Sequence, residues 1–313
     1  MSTASNPSDG PVLAGVFPVL PTPFDTQGRP HEAALRRLVR YLLACGVDGI
    51  TYPGVASEVA QLTADERRTL TAAVLHEVAG RVPVIAGASS TQAEATIAHA
   101  RHAQAAGARA VMVAVPADRP TVAAQIDFFA TVAQAVPGLA IMLQNVPPPA
   151  GAGLEATAVL EVLRAVPAVR YVKEETLPSG QRLSQVRAQA PASLLGVFGG
   201  AGGRYITDEL RRGAAGTMPA IELAEVHVAL MRAHRAGDEA RVRELFTRML
   251  PVLNVQAVFR WALTKHVLAR RGLIGCDLQR APGPRLDALD RADADAFLAD
   301  IADLLLPDAA LPA

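Results

Sequence analysis

Lysine is nearly missing from this chain: of its 30 basic residues only Lys173 and Lys265 are lysines, leaving 28 arginines. Cysteine is scarce as well. Cys45 and Cys276 are too few and too far apart for a disulfide framework or a zinc site, so a reduced, cytoplasmic setting is expected. Excess charge of either sign is lacking, with Lys+Arg and Asp+Glu balanced at 30 each. A nucleic-acid binder would show a basic excess, so none is expected as a partner. Mean hydropathy is +0.23, yet no window reaches the ~18 uncharged apolar residues that a spanning helix needs. The opening MSTASNPSDG has neither the basic start nor the apolar run of a signal peptide, and residues 1–10 read as a disordered tail.

What is present is an alternation. From Val12 to about Ala220, short aliphatic runs (AGVFPVL, DGITYPG, VPVIAGA, AVMVAVP, LAIMLQN, VRYVKEE, LLGVFGG, AGTMPA) are separated by longer Ala/Leu/Arg/Glu segments of helical spacing. Apolar runs that do not alternate with polar residues indicate strands buried on both faces, as in parallel sheets. The chain is long enough for one large α/β domain or two smaller ones. Eight such units over 11–220 fit an α/β fold of the (β/α)8 TIM barrel kind better than a doubly wound sheet.

Helix boundaries are marked along the way. Thr63 and Glu66 have capping-box spacing, Ser90 or Thr91 is placed to cap the next helix, and Gly46, Gly80 and Gly107 stand at helix ends. Beyond Ala220 the segments 221–236, 238–252, 254–271 and 288–306 read as helices, giving a C-terminal helical extension over 221–313. No glycine fingerprint for a dinucleotide follows the first strand, and none of the histidines makes an HxH or HExxH pattern. No cofactor and no metal is expected.

In a barrel, the C-terminal ends of the strands carry the chemistry. Lys173, at the end of the sixth run, is the sharpest signal: an amine can shed its proton and attack a carbonyl, whereas a guanidinium cannot. Amines removed from water lose their proton more readily. A Schiff base with a 2-oxo acid would then act as an electron sink. The plain alternative is a lysine ion-paired with Glu174 or Glu175. Strand alternation puts Glu175 on the Lys173 side and Glu174 on the other. Lys265, in TKHVLARRG, reads as structural or at an interface. Glu58 either starts a helix, where a carboxylate suits the dipole, or follows a turn whose amides around Ala56 and Ser57 hold a substrate carboxylate. Gly199 and Met218, at the ends of the seventh and eighth runs, join Ala56 and Ser57 as expected substrate-binding residues. Lys173, Gln144 and Glu175 are the expected catalytic ones.

With these residues placed, the chain resembles the dihydrodipicolinate synthase / N-acetylneuraminate lyase family. The stretches that carry the likeness are VFPVLPTPFDTQGRP, GVASEVAQLTADERRTL, VIAGASSTQAEATIAHA, QNVP and VKEE, within about Gly15 to Ile274. The resemblance implies a barrel with C-terminal helices, a homo-oligomer (tetramer or dimer), and a Schiff-base lysine on the sixth strand, where Lys173 falls. It also exposes departures. Gln144-Asn145 stands where most members have Tyr-Asn, and that tyrosine relays protons. GVASE replaces GTTGE. VPADR lacks a second tyrosine, and Pro149 occupies the place of the arginine that grips the synthase's semialdehyde.

Those losses, with Ser57-Glu58 and the GGAGGRYITDELRRGAAGTMPA segment, resemble the sugar-acid dehydratase branch instead. The resemblance therefore implies a lyase dehydrating a 2-keto-3-deoxy sugar acid, its proton carried by Glu175 or by a water held between Gln144 and Ser57. Two alternatives stand beside it. One is a pyruvate-dependent aldolase or dihydrodipicolinate synthase-like protein of the same family; the other is a non-catalytic 2-oxo acid binder that has lost the relay.

Overall fold

The computed structural model describes residues 11–312; the expected tail over 1–10 lies outside the described residues. The chain divides into two compact units, one of residues 11–14, 83–200 and 208–217, the other of 15–82, 201–207 and 218 onward.

The first unit is built on six parallel strands. They are β3 (Val84–Gly87), β4 (Ala110–Ala114), β5 (Ala140–Asn145), β6 (Val169–Glu174), β7 (Gly196–Gly199) and β8 (Gly216–Thr217), each hydrogen-bonded to the next in chain order. Helices α3 (Ala93–Ala105), α4 (Val122–Ala135), α5 (Ala156–Ala165) and α6 (Ser179–Ala188) alternate with them. AIMLQN in β5 is buried at every position, and VRYVKE in β6 at every position but one. Burial on both faces requires apolar side chains on both, which is why the runs show no period of two. The β5–β6 register shifts by one residue between Ile141 and Met142 and is regular from there to the strand ends. Gln144 pairs with Lys173 and Lys173 with Phe198, while Asn145 pairs with Glu174 and Glu174 with Gly199.

The second unit holds β1 (Gly15–Val16), α1 (Glu32–Cys45), β2 (Ile50–Thr51) and α2 (Ala64–Val78), with a parallel bridge between Val19 and Thr51. Thr63 and Glu66 close the capping box at the start of α2 as their spacing predicts: Thr63 Oγ1 accepts from Glu66 N at 3.1 Å, and Glu66 Oε2 from Thr63 N at 2.9 Å. Gly46 ends α1 in the left-handed conformation, at φ 77°.

Helices also make up the C-terminal part: α8 (Ala224–Arg235), α9 (Glu239–Phe259), α10 (Trp261–Arg270) and α11 (Ala288–Ala299). A short helix, α7 (Ile206–Arg211), precedes β8, with its residues from Asp208 onward in the first unit.

Three local expectations need correcting. Neither Ser90 nor Thr91 caps α3. The chain enters that helix at Gln92, and the Ser90 hydroxyl accepts from Gln92 N at 3.2 Å instead. The helix break expected near residue 253 falls at Arg260, because α9 runs on through Pro251 while its buried face continues through Val252 and Leu253. Glu58 starts no helix; it stands in the left-handed region at φ 57° between two single 3-10 turns, Val55–Ser57 and Val59–Gln61.

Candidate active site

β6 delivers Lys173 and, one residue past its end, Glu175. Lys173 Nζ lies 3.0 Å from Glu175 Oε1, with the two side chains 6% and 14% exposed. The other oxygen of Glu175 accepts from Gln144 Nε2 at 2.7 Å. Gln144 therefore stands beside Lys173 in register and aims its amide at the carboxylate that Lys173 also holds. A glutamine has no proton to relay, but its two N–H donors fix a carboxylate well. The first unit thus brings the three expected catalytic residues into one hydrogen-bonded chain.

Glu174 points the other way and serves the scaffold. Its oxygens accept from Asn145 Nδ2 at 3.1 and 2.9 Å and from Thr176 N at 2.8 Å. Arg182 Nε approaches at 3.6 Å, an ion-pair distance longer than a hydrogen bond. Asn145 in turn exchanges both of its amide groups with the Leu154 backbone. Full burial pushes the Glu174 carboxyl up in spite of these bonds. The pair Asn145–Glu174 thereby anchors the loop after β5 and the exit of β6, holding the frame from which Lys173 projects.

Gly199 has no side chain to offer a ligand. A Cβ there would overlap the carboxyl of Glu209, on α7. Glu209 is 1% exposed and accepts from Ser179 Oγ, at the start of α6, at 2.7 Å; its second oxygen is buried without a partner. Burial raises Glu209 to about 7, with the charges of Glu175, Asp208 and Glu174 adding in the same direction. Sequence reading missed this group. Its signal was the glycine pair Gly199-Gly200, since glycine at a strand end marks a close approach by something else.

The remaining expected residues belong to the second unit. Ser57 is buried, and its hydroxyl donates to Leu20 O while accepting from Gly54 N at 2.8 Å, so it holds its own turn together. Thr22 Oγ1 donates to Ser57 O at 2.7 Å and Trp261 Nε1 to Val55 O at 2.8 Å, fixing the backbone on either side of Ala56. Met218 is buried.

Glu58 proves to be a clasp. One oxygen pairs with Lys265 Nζ, and the other accepts from the amides of Arg280 and Ala281. Lys265 also donates to Leu278 O at 2.8 Å and lies over the Phe24 ring. Burial lowers Lys265, opposed by Glu58. A cavity of about 470 Å3 in this unit, lined by Phe24, His31, Arg37 and Cys276 among others, contains none of the expected site residues. Among the described residues no group of three or more His, Cys, Asp or Glu is placed to hold a metal ion, and no helix is long and apolar enough to cross a membrane.

Comparison with known proteins gives this geometry a context. The L-2-keto-3-deoxyarabonate dehydratase of Azospirillum brasilense is 31% identical over 293 residues, covering 91% of this chain and 94% of its own. A 4-hydroxy-tetrahydrodipicolinate synthase of Thermus thermophilus is 33% identical over 280 residues, covering 87% and 91%. The crystal structure of dihydrodipicolinate synthase from Rhodopseudomonas palustris superposes with a TM-score of 0.85 at 26% identity, covering 96% of this chain and all of that one. The sequence profile of the Dihydrodipicolinate synthetase family matches residues 12–299. The chain belongs to that family of lyases, and it is an enzyme.

Proposed function

We propose that this enzyme forms a Schiff base between Lys173 and a 2-oxo acid and dehydrates a 2-keto-3-deoxy sugar acid. The observation that carries the reading is the chain Lys173–Glu175–Gln144, in which Gln144, standing where most relatives bring a tyrosine, holds a carboxylate beside the amine. Similarity alone does not choose between dehydratase and synthase, because the two relatives are almost equally distant. Residues choose. Pro149 cannot grip a semialdehyde, and Gln144 cannot relay a proton.

The chemistry balances without further reagents. The Lys173 amine adds to the C2 carbonyl and water leaves, giving an iminium. Glu175 removes a C3 proton and the electron pair moves onto nitrogen as an enamine. The enamine expels the C4 hydroxyl, which takes a proton and departs as water, and hydrolysis frees the lysine. Because the Ser57 hydroxyl is committed to its own turn, Glu175 rather than a water on Ser57 is the proposed proton carrier. A positioned base of this kind is typically worth about 10² to 10⁴ in rate. The turn around Ala56 and Ser57 is proposed to bind a substrate carboxylate, with Gly199 and Met218 as further lining.

The same reading places all eight strands in one closed (β/α)8 barrel over 11–220, with 221–313 as its helical extension. The likeness in TM-score to the R. palustris enzyme supports this. It also makes the enzyme a cytoplasmic homo-oligomer, tetramer or dimer, with no nucleic-acid partner.

Borohydride added with pyruvate, followed by peptide mass spectrometry, tests the Schiff base: an adduct confined to Lys173 is expected, and its absence ends the reading. A panel of 2-keto-3-deoxy acids assayed with coupled lactate dehydrogenase separates the two reactions. Dehydration consumes substrate without releasing pyruvate, whereas aldol cleavage releases it.

A further inference from the structure

Gly199 ends β7 and Gly200 follows it, and each makes room for a different carboxylate. A Cβ on Gly199 would overlap Glu209, and one on Gly200 would overlap Glu175. Successive residues of an extended chain face opposite sides, so the Gly199–Gly200 backbone runs between the two acids. On one side Glu175 holds Lys173 and Gln144. On the other, Glu209 is enclosed with a single hydrogen bond, from Ser179, and its free oxygen is the one lying against Gly199. A side chain on either glycine would push the acids apart.

We propose that Glu209 is a positioning residue for the Lys173–Glu175 pair, acting across the Gly199–Gly200 backbone by the charge it gains or gives up. This rests on the Schiff-base reading of Lys173. The charges that act most strongly on Glu209 are those of Glu175 and Glu174, from β6, and Asp208, from α7, while Ser179 of α6 donates its hydrogen bond; α6 also carries Arg182, which is paired with Glu174. Asp208 is itself paired with Arg212, and Glu174 with Asn145 and Arg182. Glu175 is therefore the neighbour through which a charge on Glu209 reaches the amine.

With Glu209 neutral, Glu175 alone balances Lys173. Once Glu209 ionises, a second negative charge lies behind the pair and favours the ammonium over the nucleophilic amine. Burial sets that change near neutrality.

The test is the rate of pyruvate–borohydride adduct formation on Lys173, followed by mass spectrometry at pH 5.5 and pH 8 in the full-length enzyme and in Glu209→Gln. Glutamine mimics the neutral acid. The two proteins are expected to react alike at pH 5.5, and the variant about three to ten times faster at pH 8. Ser179→Ala, a smaller change, removes the one bond that favours the ionised form. It should move the wild-type profile the same way by a lesser amount.

Superimposed profiles at both pH values would overturn the proposal. So would a rate change of equal size at both, which is what loosened packing alone would give. Wild-type enzyme that forms no adduct at any pH would instead refute the Schiff base itself, and this proposal with it.

Discussion

Rarity singled out Lys173, but rarity alone does not separate it from Lys265, since both lysines are buried and both meet a carboxylate. What differs is how their donors are spent. Lys265 Nζ is divided among Glu58, the Leu278 carbonyl and the Phe24 ring, a closed set that ties the turn after β2 to residues 278–281. Among the described residues Lys173 has its ion pair with Glu175, and Glu175 is shared with Gln144. The amine of Lys173 can thus exchange one partner for a carbonyl carbon, while that of Lys265 cannot move without unpairing a buried charge, a loss of about 3 to 5 kcal/mol. This predicts a separation of steps in Glu175→Gln. Imine formation needs only the amine, so borohydride trapping on Lys173 should persist. Exchange of the pyruvate methyl protons for deuterium, followed by proton NMR in D2O, needs the base and should slow by about 10² to 10⁴. Equal loss of both would remove Glu175 from the role of base.

At the scale of elements, the strands were legible because burial on both faces leaves an unbroken apolar run, and α2 because its capping box is local in sequence. Events decided by packing were not. Pro251 removes one backbone donor from α9, yet the helix continues because its apolar face stays buried on both sides of that position. Glu209 was invisible for a similar reason, since its partner Ser179 is 30 residues away and its contact is with a residue that has no side chain. Gly199→Ala tests that contact. The new Cβ must displace the Glu209 carboxyl, and overpacking of this kind costs about 1 to 3 kcal/mol in urea-unfolding free energy. Combined with Glu209→Ala, the methyl group has space, so the double variant should recover much of that loss. Additive destabilisation in the cycle would mean the two residues do not meet.

Across the whole molecule the buried acids make an unusual contribution to pH dependence. Each compact unit encloses a glutamate raised to about 7 by burial: Glu209 in the first, and in the second Glu222, which accepts from Thr264 Oγ1 at 3.0 Å. An acid whose pKa is higher folded than unfolded keeps its proton better in the native state. Its stabilisation is complete below the unfolded value of 4.5 and is lost as pH rises through 7. His227 acts in the opposite sense: burial lowers it to about 4, so stability falls as pH drops from 6.5 towards 4. Between pH 6 and 8 the two acids dominate: His227 is already neutral in the folded state, and the loss of its proton from the unfolded state, around 6.5, returns only about 0.8 kcal/mol. The enzyme should therefore lose stability over that interval, by roughly 1 to 2 kcal/mol for each acid. Urea midpoints at pH 6 and 8 measure it directly. Glu209→Gln and Glu222→Gln should each remove more than half of the net decline. A wild-type midpoint that rises from pH 6 to 8 would mean that both acids are already ionised inside the folded protein, and the charge relation between Glu209 and Lys173 would then have no switch near neutrality.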